Sequence, residues 1–162
     1  MNKNNEIFQV AIVGSGPGGL SAGGHAAKLG LRHILLEKAD HASDTIYKFQ
    51  KGKHVMATPD ILPLRSDVDF SMGSREDVLE TWNNALNEHQ VNIRYNTEVK
   101  GISGQKGDFE LTLVDGDIIK SETIVLAIGL QGNLNTLRIP GAENVTHLQY
   151  QLDDPNEYEH ET

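Results

Sequence analysis

Three glycines near the N-terminus have the spacing of a turn that binds phosphate. Gly14, Gly16 and Gly19 form a G-x-G-x-x-G pattern within VAIVGSGPGGL. In such a pattern the first glycine permits a tight turn, the second lets a pyrophosphate approach the backbone, and the third lets helix and strand pack closely. Free N–H groups and a partial positive charge at the start of the helix favour an anion there. The pattern therefore predicts dinucleotide contacts from Gly14, Ser15, Gly16, Pro17, Gly18 and Gly19.

An acidic residue follows at the distance expected for a ribose contact. Glu37 ends the apolar run LRHILLE, 18 residues after Gly19. A carboxylate at this place accepts hydrogen bonds from ribose hydroxyl groups. It would repel a 2′-phosphate, so the sequence favours a nucleotide without one. The alternative is a glycine-rich turn with an unrelated surface glutamate, which the combined agreement of strand, helix, spacing and acid disfavours.

The elements that position these residues are predicted to form a β–α–β unit. The run of residues 6–13 is short and mostly apolar, and a glycine follows it, which is typical of a buried parallel strand. Pro17 suits the first turn of a helix over residues 17–29, and Gly30 suits its end. Residues 31–37 are predicted to form the second strand.

A long loop and a second helix are predicted next. Residues 38–73 lack clear periodicity and are interrupted by Pro59 and Pro63. Loops of this length are uncommon within compact domains and are often functional. A helix is predicted to begin at Ser74, which has the spacing of a capping box to Asp77. Its apolar face comprises Val78, Leu79, Trp82, Ala85 and Leu86.

Short apolar runs in the second half of the chain predict further strands. Residues 91–95 are typical of a third parallel strand. An antiparallel meander is predicted over residues 98–102, 109–114 and 118–123. Asp115-Gly116, between its last two strands, is a pair preferred in tight hairpin turns. A separate buried strand over 124–128 ends at Gly129. The fold class is therefore α/β, Rossmann-like, with a central parallel sheet, flanking helices and a three-stranded antiparallel meander.

Composition narrows the class of protein. The chain has 162 residues, enough for one domain with a sizeable core. Its formal net charge of −9 argues against a nucleic-acid or anionic-membrane partner. It contains no cysteine, so it has no disulfide, thiolate metal site or redox dithiol of its own. Because the histidines show no ligand spacing and no segment has the pattern of a membrane helix or signal peptide, we expect no metal site and a soluble, cytoplasmic protein.

Four motifs occur in an order typical of one family of flavoproteins. They are GSGPGG, LLEK, the meander, and TIVLAIG followed by RIPG, and they extend over residues 7–141. In this combination the chain resembles the FAD domain of thioredoxin reductase-like pyridine nucleotide-disulfide oxidoreductases, which have two dinucleotide-binding domains. More narrowly, TIYKFQKGKHVMA and LQYQLDDP resemble a subgroup of reductase-like flavoproteins often described only as NAD(P)-binding oxidoreductases.

The resemblance implies a layout for a bound FAD. The pyrophosphate would lie on the first helix and the adenosine ribose on Glu37, with Lys38 of the LLEK motif as a further cofactor contact. The backbone of Val99, at the start of the meander, would contact the adenine. The turn from Ala127 to Gly129 would pass close to the dinucleotide. The loop after the second strand, near Ile46 to Lys48, would run toward the isoalloxazine.

Basic and aromatic residues in the long loop are further candidates. A small basic run in this acidic protein is made of Lys48, Lys51, Lys53 and His54. The run would form an electrostatic site for a flavin phosphate, flavin N1 or incoming NADPH. Lys48 is the preferred residue, because a cation near N1 stabilises reduced, anionic flavin. Tyr47 and Phe49 would stack on or edge the isoalloxazine, or else anchor the loop to the core. The alternative for the basic run is a solvated loop.

These features predict the FAD-binding portion of a flavoprotein oxidoreductase, in which NAD(P)H reduces the flavin and electrons leave to an unnamed acceptor. Residues 1–141 are the predicted FAD domain, incomplete at its C-terminal part, and residues 142–162 a linker or tail toward an NAD(P)H domain that the chain lacks. No catalytic acid or base is identifiable. The alternatives are a catalytically silent nucleotide-binding module and an NAD-binding dehydrogenase-like domain. Apolar surface normally covered by the missing lobe would favour a homodimer.

Overall fold

The protein is described from a computed structural model, which covers residues 6–56, 66–130 and 136–145 together with residues 150, 154, 156 and 159. The elements in chain order are β1 (Ile7–Val13), α1 (Pro17–Lys28), β2 (His33–Leu36), α2 (Asp44–Tyr47), β3 (His54–Val55), β4 (Gly73–Ser74), α3 (Arg75–Glu88), β5 (Ile93–Arg94), β6 (Val99–Gln105), β7 (Asp108–Leu113) and β8 (Ile118–Leu126). A short 3-10 helix spans Ala142–Asn144.

The central feature is a six-stranded sheet with the strand order β5-β2-β1-β8-β7-β6. The first four of these strands pair in parallel. β7 pairs antiparallel with both β8 and β6. Strands β3 and β4 form a separate two-stranded antiparallel sheet. The predicted α/β class, with a mainly parallel sheet and a three-stranded antiparallel meander, is confirmed.

Strands β1 and β2 are covered on both faces, as expected for the middle of a parallel sheet. Ile12 and Leu35 pack in one core with Trp82 of α3. Ala11 and Ile34, one residue earlier in each strand, pack in a second core. Successive side chains of a strand point to opposite faces, so adjacent residues enter different cores. The strand that leads into the glycine-rich turn is thereby fixed from both sides.

The helix predicted over residues 17–29 is confirmed to within one residue, and the helix predicted to begin at Ser74 is confirmed at its start. Pro17 is the first residue of α1. Gly30, which follows α1 with a φ of 65°, donates its N–H to the carbonyl of Ala27. At the start of α3, Ser74 and Asp77 form the predicted capping box, in which each side chain accepts a hydrogen bond from the other residue's N–H.

The prediction of two strands over residues 118–123 and 124–128 is wrong, because the structure has one continuous strand, β8. Lys120 pairs with Ile7 of β1 and with Glu110 of β7. β8 is therefore both the last strand of the meander and a strand of the parallel sheet, and no turn separates the two roles. The end of this run is not buried as predicted, since Ile128 is 69% exposed.

The loops differ in detail from the sequence expectation. In the Asp115-Gly116 hairpin the N–H of Leu113 donates to the carbonyl of Asp117, one residue before β8, and this bond encloses a three-residue loop, 114–116. Gly116, its third residue, has a φ of 91° and donates its N–H to the carbonyl of Leu113. A glycine in the left-handed region is the usual third residue of such a loop. The predicted long loop contains α2 and β3. Its residues 57–65, with Pro59 and Pro63, lie outside the described residues.

The predicted linker over residues 142–162 lies mostly outside the described residues, so the division into domain and linker stays a prediction. In the part of the chain that the structure describes, no helix has the length and apolar character needed to cross a membrane.

Candidate functional site

The glycine-rich turn is held between the ends of β2 and β8. The N–H of Gly14 donates to the carbonyl of Leu36 at 2.9 Å, and the N–H of Ala127 donates to the carbonyl of Val13 at 2.8 Å. Gly14 has a φ of 96°, and a Cβ on it would lie 2.5 Å from the carbonyl oxygen of Ala127. The turn therefore requires glycine at this position, and the structure places Ala127 directly beside it.

Gly16 and Gly19 lie in opposite surroundings. A Cβ on Gly19 would lie 1.8 Å from the carbonyl oxygen of Gly14, so Gly19 is required for α1 to pack on the turn. A Cβ on Gly16 would meet no described atom within 4 Å. Gly16 is the N-cap of α1, and no described side chain caps the helix. The first turn of α1 is therefore uncapped by any described side chain, and the space beside Gly16 is open, which suits an anion that approaches the backbone.

Ser15 and Glu37 are brought together in the interior beneath this turn. The N–H and the hydroxyl of Ser15 both donate to Oε2 of Glu37, at 2.9 and 2.5 Å. Oε1 of Glu37 accepts from the N–H of Ala39 at 2.9 Å. Ser15 is 0% exposed and Glu37 6% exposed. The carboxylate thus already stabilises the turn, and its predicted ribose contact stays a prediction.

Ser43 connects the turn to the segment that follows β2. Its N–H donates to both Oγ and the carbonyl oxygen of Ser15, at 3.1 and 3.2 Å. Its hydroxyl donates to the same carbonyl oxygen at 3.3 Å. Ser43 is buried and has a φ of 61°, in the left-handed region that residues other than glycine seldom occupy. It immediately precedes α2, which ends at the predicted site residue Tyr47.

Tyr47 lies exposed at the end of α2 among aromatic and charged side chains. Its ring stacks on His41 with centroids 3.7 Å apart. The guanidinium of Arg75 lies 5.1 Å from the ring centroid, and Nε of Arg75 donates to the carbonyl of Tyr47 at 3.0 Å. Lys48 pairs with Asp44 at 2.7 Å. These contacts hold the predicted flavin-facing residues in one small cluster.

The rest of the basic run is distributed over separate contacts. Nζ of Lys53 lies 4.2 Å from the centroid of the Phe49 ring. Nζ of Lys51 pairs with Asp154 at 2.9 Å. The exposed His54 lies in β3. The run is thus not one concentrated cationic patch.

A cavity of about 330 Å³ lies beside Lys38. Lys38, Glu98 and Val114 contribute to its lining. The N–H of Val114 donates to the carbonyl of Glu98 at 2.9 Å, and Val99 begins β6 directly after Glu98. The structure therefore places two predicted cofactor contacts, Lys38 and Val99, next to one concave surface.

Gly129 lies beyond the end of β8 and has a φ of 64°. Leu130, which follows it, is 99% exposed. Residues 131–135 lie outside the described residues. Of the predicted turn from Ala127 to Gly129, contact with the glycine-rich turn is made by Ala127.

The buried carboxylate affects its surroundings electrostatically. Burial, and then the charge of Glu37, raise the pKa of the Tyr95 phenol. Tyr95 therefore stays neutral at physiological pH. The backbone near it is held by the N–H of Thr97, which donates to the carbonyl of Glu37 at 2.8 Å, and by the N–H of Asn96, which donates to the carbonyl of Ala39 at 2.9 Å.

Sequence reasoning missed three residues that shape the site: Ser43, Arg75 and Asn96. Asn96 has a φ of 51°, which is a conformation that asparagine tolerates, so a signal existed in its residue type. Serine gives no such signal at position 43. Arg75 lies at the start of a predicted helix, and only the folded structure shows its contact with Tyr47.

Comparison with known proteins places this geometry in a family. A family model described as "Pyridine nucleotide-disulphide oxidoreductase" matches residues 11–162. The chain belongs to this family. It is 26% identical over 124 residues to a ferredoxin–NADP reductase from Leuconostoc citreum (strain KM20), a match that covers 76% of this chain and 34% of the reductase.

Solved structures with this fold include a disulfide reductase and a protein solved with FAD and NADP. A bacillithiol disulfide reductase from Bacillus cereus has a TM-score of 0.75 and 21% identity, with 94% of this chain and 49% of that chain covered. OTEMO, solved in complex with FAD and NADP, has a TM-score of 0.67 and 18% identity, with 84% and 28% covered. The fold of the pyridine nucleotide-disulphide oxidoreductase family is thus shared by this chain, which spans less than half of each relative.

Proposed function

We propose that this chain is the FAD-binding part of a flavoprotein oxidoreductase that takes electrons from NAD(P)H. The observation that carries the proposal is the open position of Gly16 at the start of α1, between two glycines that the packing requires. A pyrophosphate needs such a place, where no Cβ separates it from the amides. FAD accepts hydride when bound and passes electrons on; the residues described here bind and orient it.

FAD is favoured over a transient nicotinamide for two reasons. Membership of the pyridine nucleotide-disulphide oxidoreductase family is one. The other is that Ser15 of the glycine-rich turn bonds both Glu37, which precedes Lys38, and Ser43, which precedes α2, so the turn is connected to two surfaces that an extended ligand could use. The cavity beside Lys38 is proposed to take the adenine near Val99. The cluster around Tyr47 is proposed to face the isoalloxazine.

Two residues are proposed to act on the flavin half. Tyr47 would contact the isoalloxazine with its exposed edge, since His41 already stacks on the ring. Lys48 would supply positive charge, with Asp44 orienting its ammonium group. No residue is assigned as an acid or base, and the electron acceptor is unnamed.

Several finer points belong to the same proposal. NAD(P)H would bind in a domain outside these residues, as the greater length of the relatives supports. The thioredoxin reductase-like type and a cytoplasmic location are proposed on the sequence motifs alone. A silent nucleotide-binding module and an NAD-binding domain are the alternatives that the experiment must separate.

The deciding experiment is a visible absorption spectrum of the purified chain, with chromatography of any nucleotide released on denaturation. We expect FAD near one equivalent per chain, either retained or taken up when added. The matched control is Gly16→Val, which should fold but stay colourless. A folded wild-type protein that takes up NAD⁺ but no FAD contradicts the proposal and supports the NAD-binding alternative.

A further inference from the structure

A buried hydrogen-bonded connection links the glycine-rich turn to α2. It runs from Glu37 through Ser15 to Ser43, and these residues are 6%, 0% and 2% exposed. Water therefore has little access to these side chains and cannot readily replace the hydrogen bonds between them. The Ser15 hydroxyl serves both neighbours, because it donates to Oε2 of Glu37 at 2.5 Å and accepts from the N–H of Ser43 at 3.1 Å.

The same connection determines where α2 begins. The carbonyl of Ser43 accepts hydrogen bonds from the N–H groups of Ile46 and Tyr47, both at 2.9 Å. Ser43 itself has a φ of 61°, a backbone conformation that persists in a non-glycine residue only where its surroundings impose it. Both bonds of the Ser43 N–H go to Ser15. Ser15 is thus the residue that holds the start of α2 in place.

We propose that Ser15 and Ser43 are positioning residues that couple occupancy of the glycine-rich turn to the order of α2. A nucleotide diphosphate seated on the amides around Gly16 would stabilise the backbone of Ser15. Through Ser43 it would also stabilise the segment with Tyr47 and Lys48. The identity of the full ligand as FAD rests on the proposed function, whereas the connection itself rests on the contacts above.

The first test is amide hydrogen exchange of residues 43–49 in the ligand-free full chain. Ser15→Ala removes the shared hydroxyl, and we expect exchange of this segment to become about tenfold faster. The matched control is Ser121→Ala. Ser121 is also buried, and its hydroxyl donates to the carbonyls of Thr123 and Phe8 in the sheet. Exchange at residues 43–49 that responds equally to both substitutions, or to neither, overturns the proposal.

The second test begins with the wild-type chain, with and without ADP, and this first comparison does not depend on the folding of a variant. Saturation with ADP should slow exchange at residues 43–49 by about threefold or more, and Ser15→Ala should abolish this slowing. If Ser15 had only a structural role, ADP would slow exchange at residues 43–49 in Ser15→Ala as it does in wild type. ADP that binds to wild type without changing exchange in this segment refutes the coupling.

The two proposals fail in different ways. A chain that binds ADP but not FAD contradicts the proposed function, while the ADP-dependent exchange still decides the coupling. A chain that binds neither nucleotide contradicts both proposals, because a coupling to occupancy requires that the glycine-rich turn can be occupied.

Discussion

The carbonyl oxygen of Gly14 occupies the place where a side chain on Gly19 would begin, 1.8 Å from the position of a Cβ. The turn and the first turn of α1 are thus packed backbone against backbone. At Gly16, which lies between them in the sequence, a Cβ would meet open space. The three glycines of the motif therefore have separable functions, and substitution should distinguish them.

Gly16→Val should abolish dinucleotide binding and leave the fold intact. Gly16 has a φ of −68°, which any residue adopts, so its substitution should change the free energy of unfolding by no more than about 1 kcal/mol. Gly19→Ala, the matched comparison, should lower stability by about 1–3 kcal/mol through overpacking. Thermal denaturation and FAD titration of both variants check this. A destabilised Gly16→Val would mean that the space beside Gly16 is not open.

Glu37→Gln should destabilise the protein and weaken nucleotide binding. The amide has only one oxygen, so at least one of the donors from Ser15 and Ala39 loses its acceptor in the buried site. We expect a loss of about 1–3 kcal/mol in the free energy of unfolding, measured by urea denaturation.

Glu110→Gln is the control for that substitution. Glu110 pairs with Lys120 at 2.9 Å, but both side chains are at least 40% exposed, so the change should be within about 1 kcal/mol. Equal effects of the two substitutions would show that the Glu37 carboxylate is not held as described.

Asp67 gives the stability a component that is sensitive to acid. Hydrogen bonds from Lys28 and then from His25 lower the pKa of Asp67. The unfolded chain therefore binds this proton more readily, so the contribution is complete above the ordinary aspartate pKa and is lost as the pH falls through the lowered value. Asp67→Asn should flatten the decline of Tm between about pH 5 and 2. Asp69→Asn, two residues away, should not; an unchanged profile for Asp67→Asn contradicts the assignment.

The predicted homodimer can be tested at the end of β8. Leu126, Ile128 and Leu130 are 61%, 69% and 99% exposed. If two copies cover this surface, light scattering should show a mass that rises with concentration, and Ile128→Lys should reduce the association. Ile118→Lys, at the other end of the same strand, is the control. A single monomer mass at every concentration rules the dimer out.

The backbone of the site was predictable from the sequence because it depends on local rules. The glycine spacing, Pro17 at the start of α1, and the Ser74–Asp77 capping box each depend on residues a few positions apart. The alternating runs of the meander likewise indicated β6 and β7. Each of these features depends on neighbouring residues, so it can be predicted without knowing the contacts of distant parts of the chain.

The side-chain network was not predictable, because its partners are distant in sequence. The predicted ribose contact of Glu37 stays a prediction, but nothing in the sequence indicated the hydrogen bond from Ser15, 22 residues earlier, to its carboxylate. The left-handed conformation of Ser43 arises from its contact with Ser15 and not from its residue type. The sequence predicted two strands in place of β8, because the part that pairs with β7 and the part that pairs with β1 alone have different local patterns.

The double pairing of β8 has a consequence for synthesis of the chain. Ile7 of β1 pairs with Lys120 of β8, 113 residues later, and Ala127 closes the glycine-rich turn against Val13. Contacts of such large sequence separation slow folding, because a long loop must close before they form. On the ribosome, β1 and α1 emerge first, but the edge of β1 that pairs with β8 stays unpaired until β8 has been translated. The site is therefore completed late, and under the proposed function a nascent chain can bind a dinucleotide only after Ala127 has left the exit tunnel.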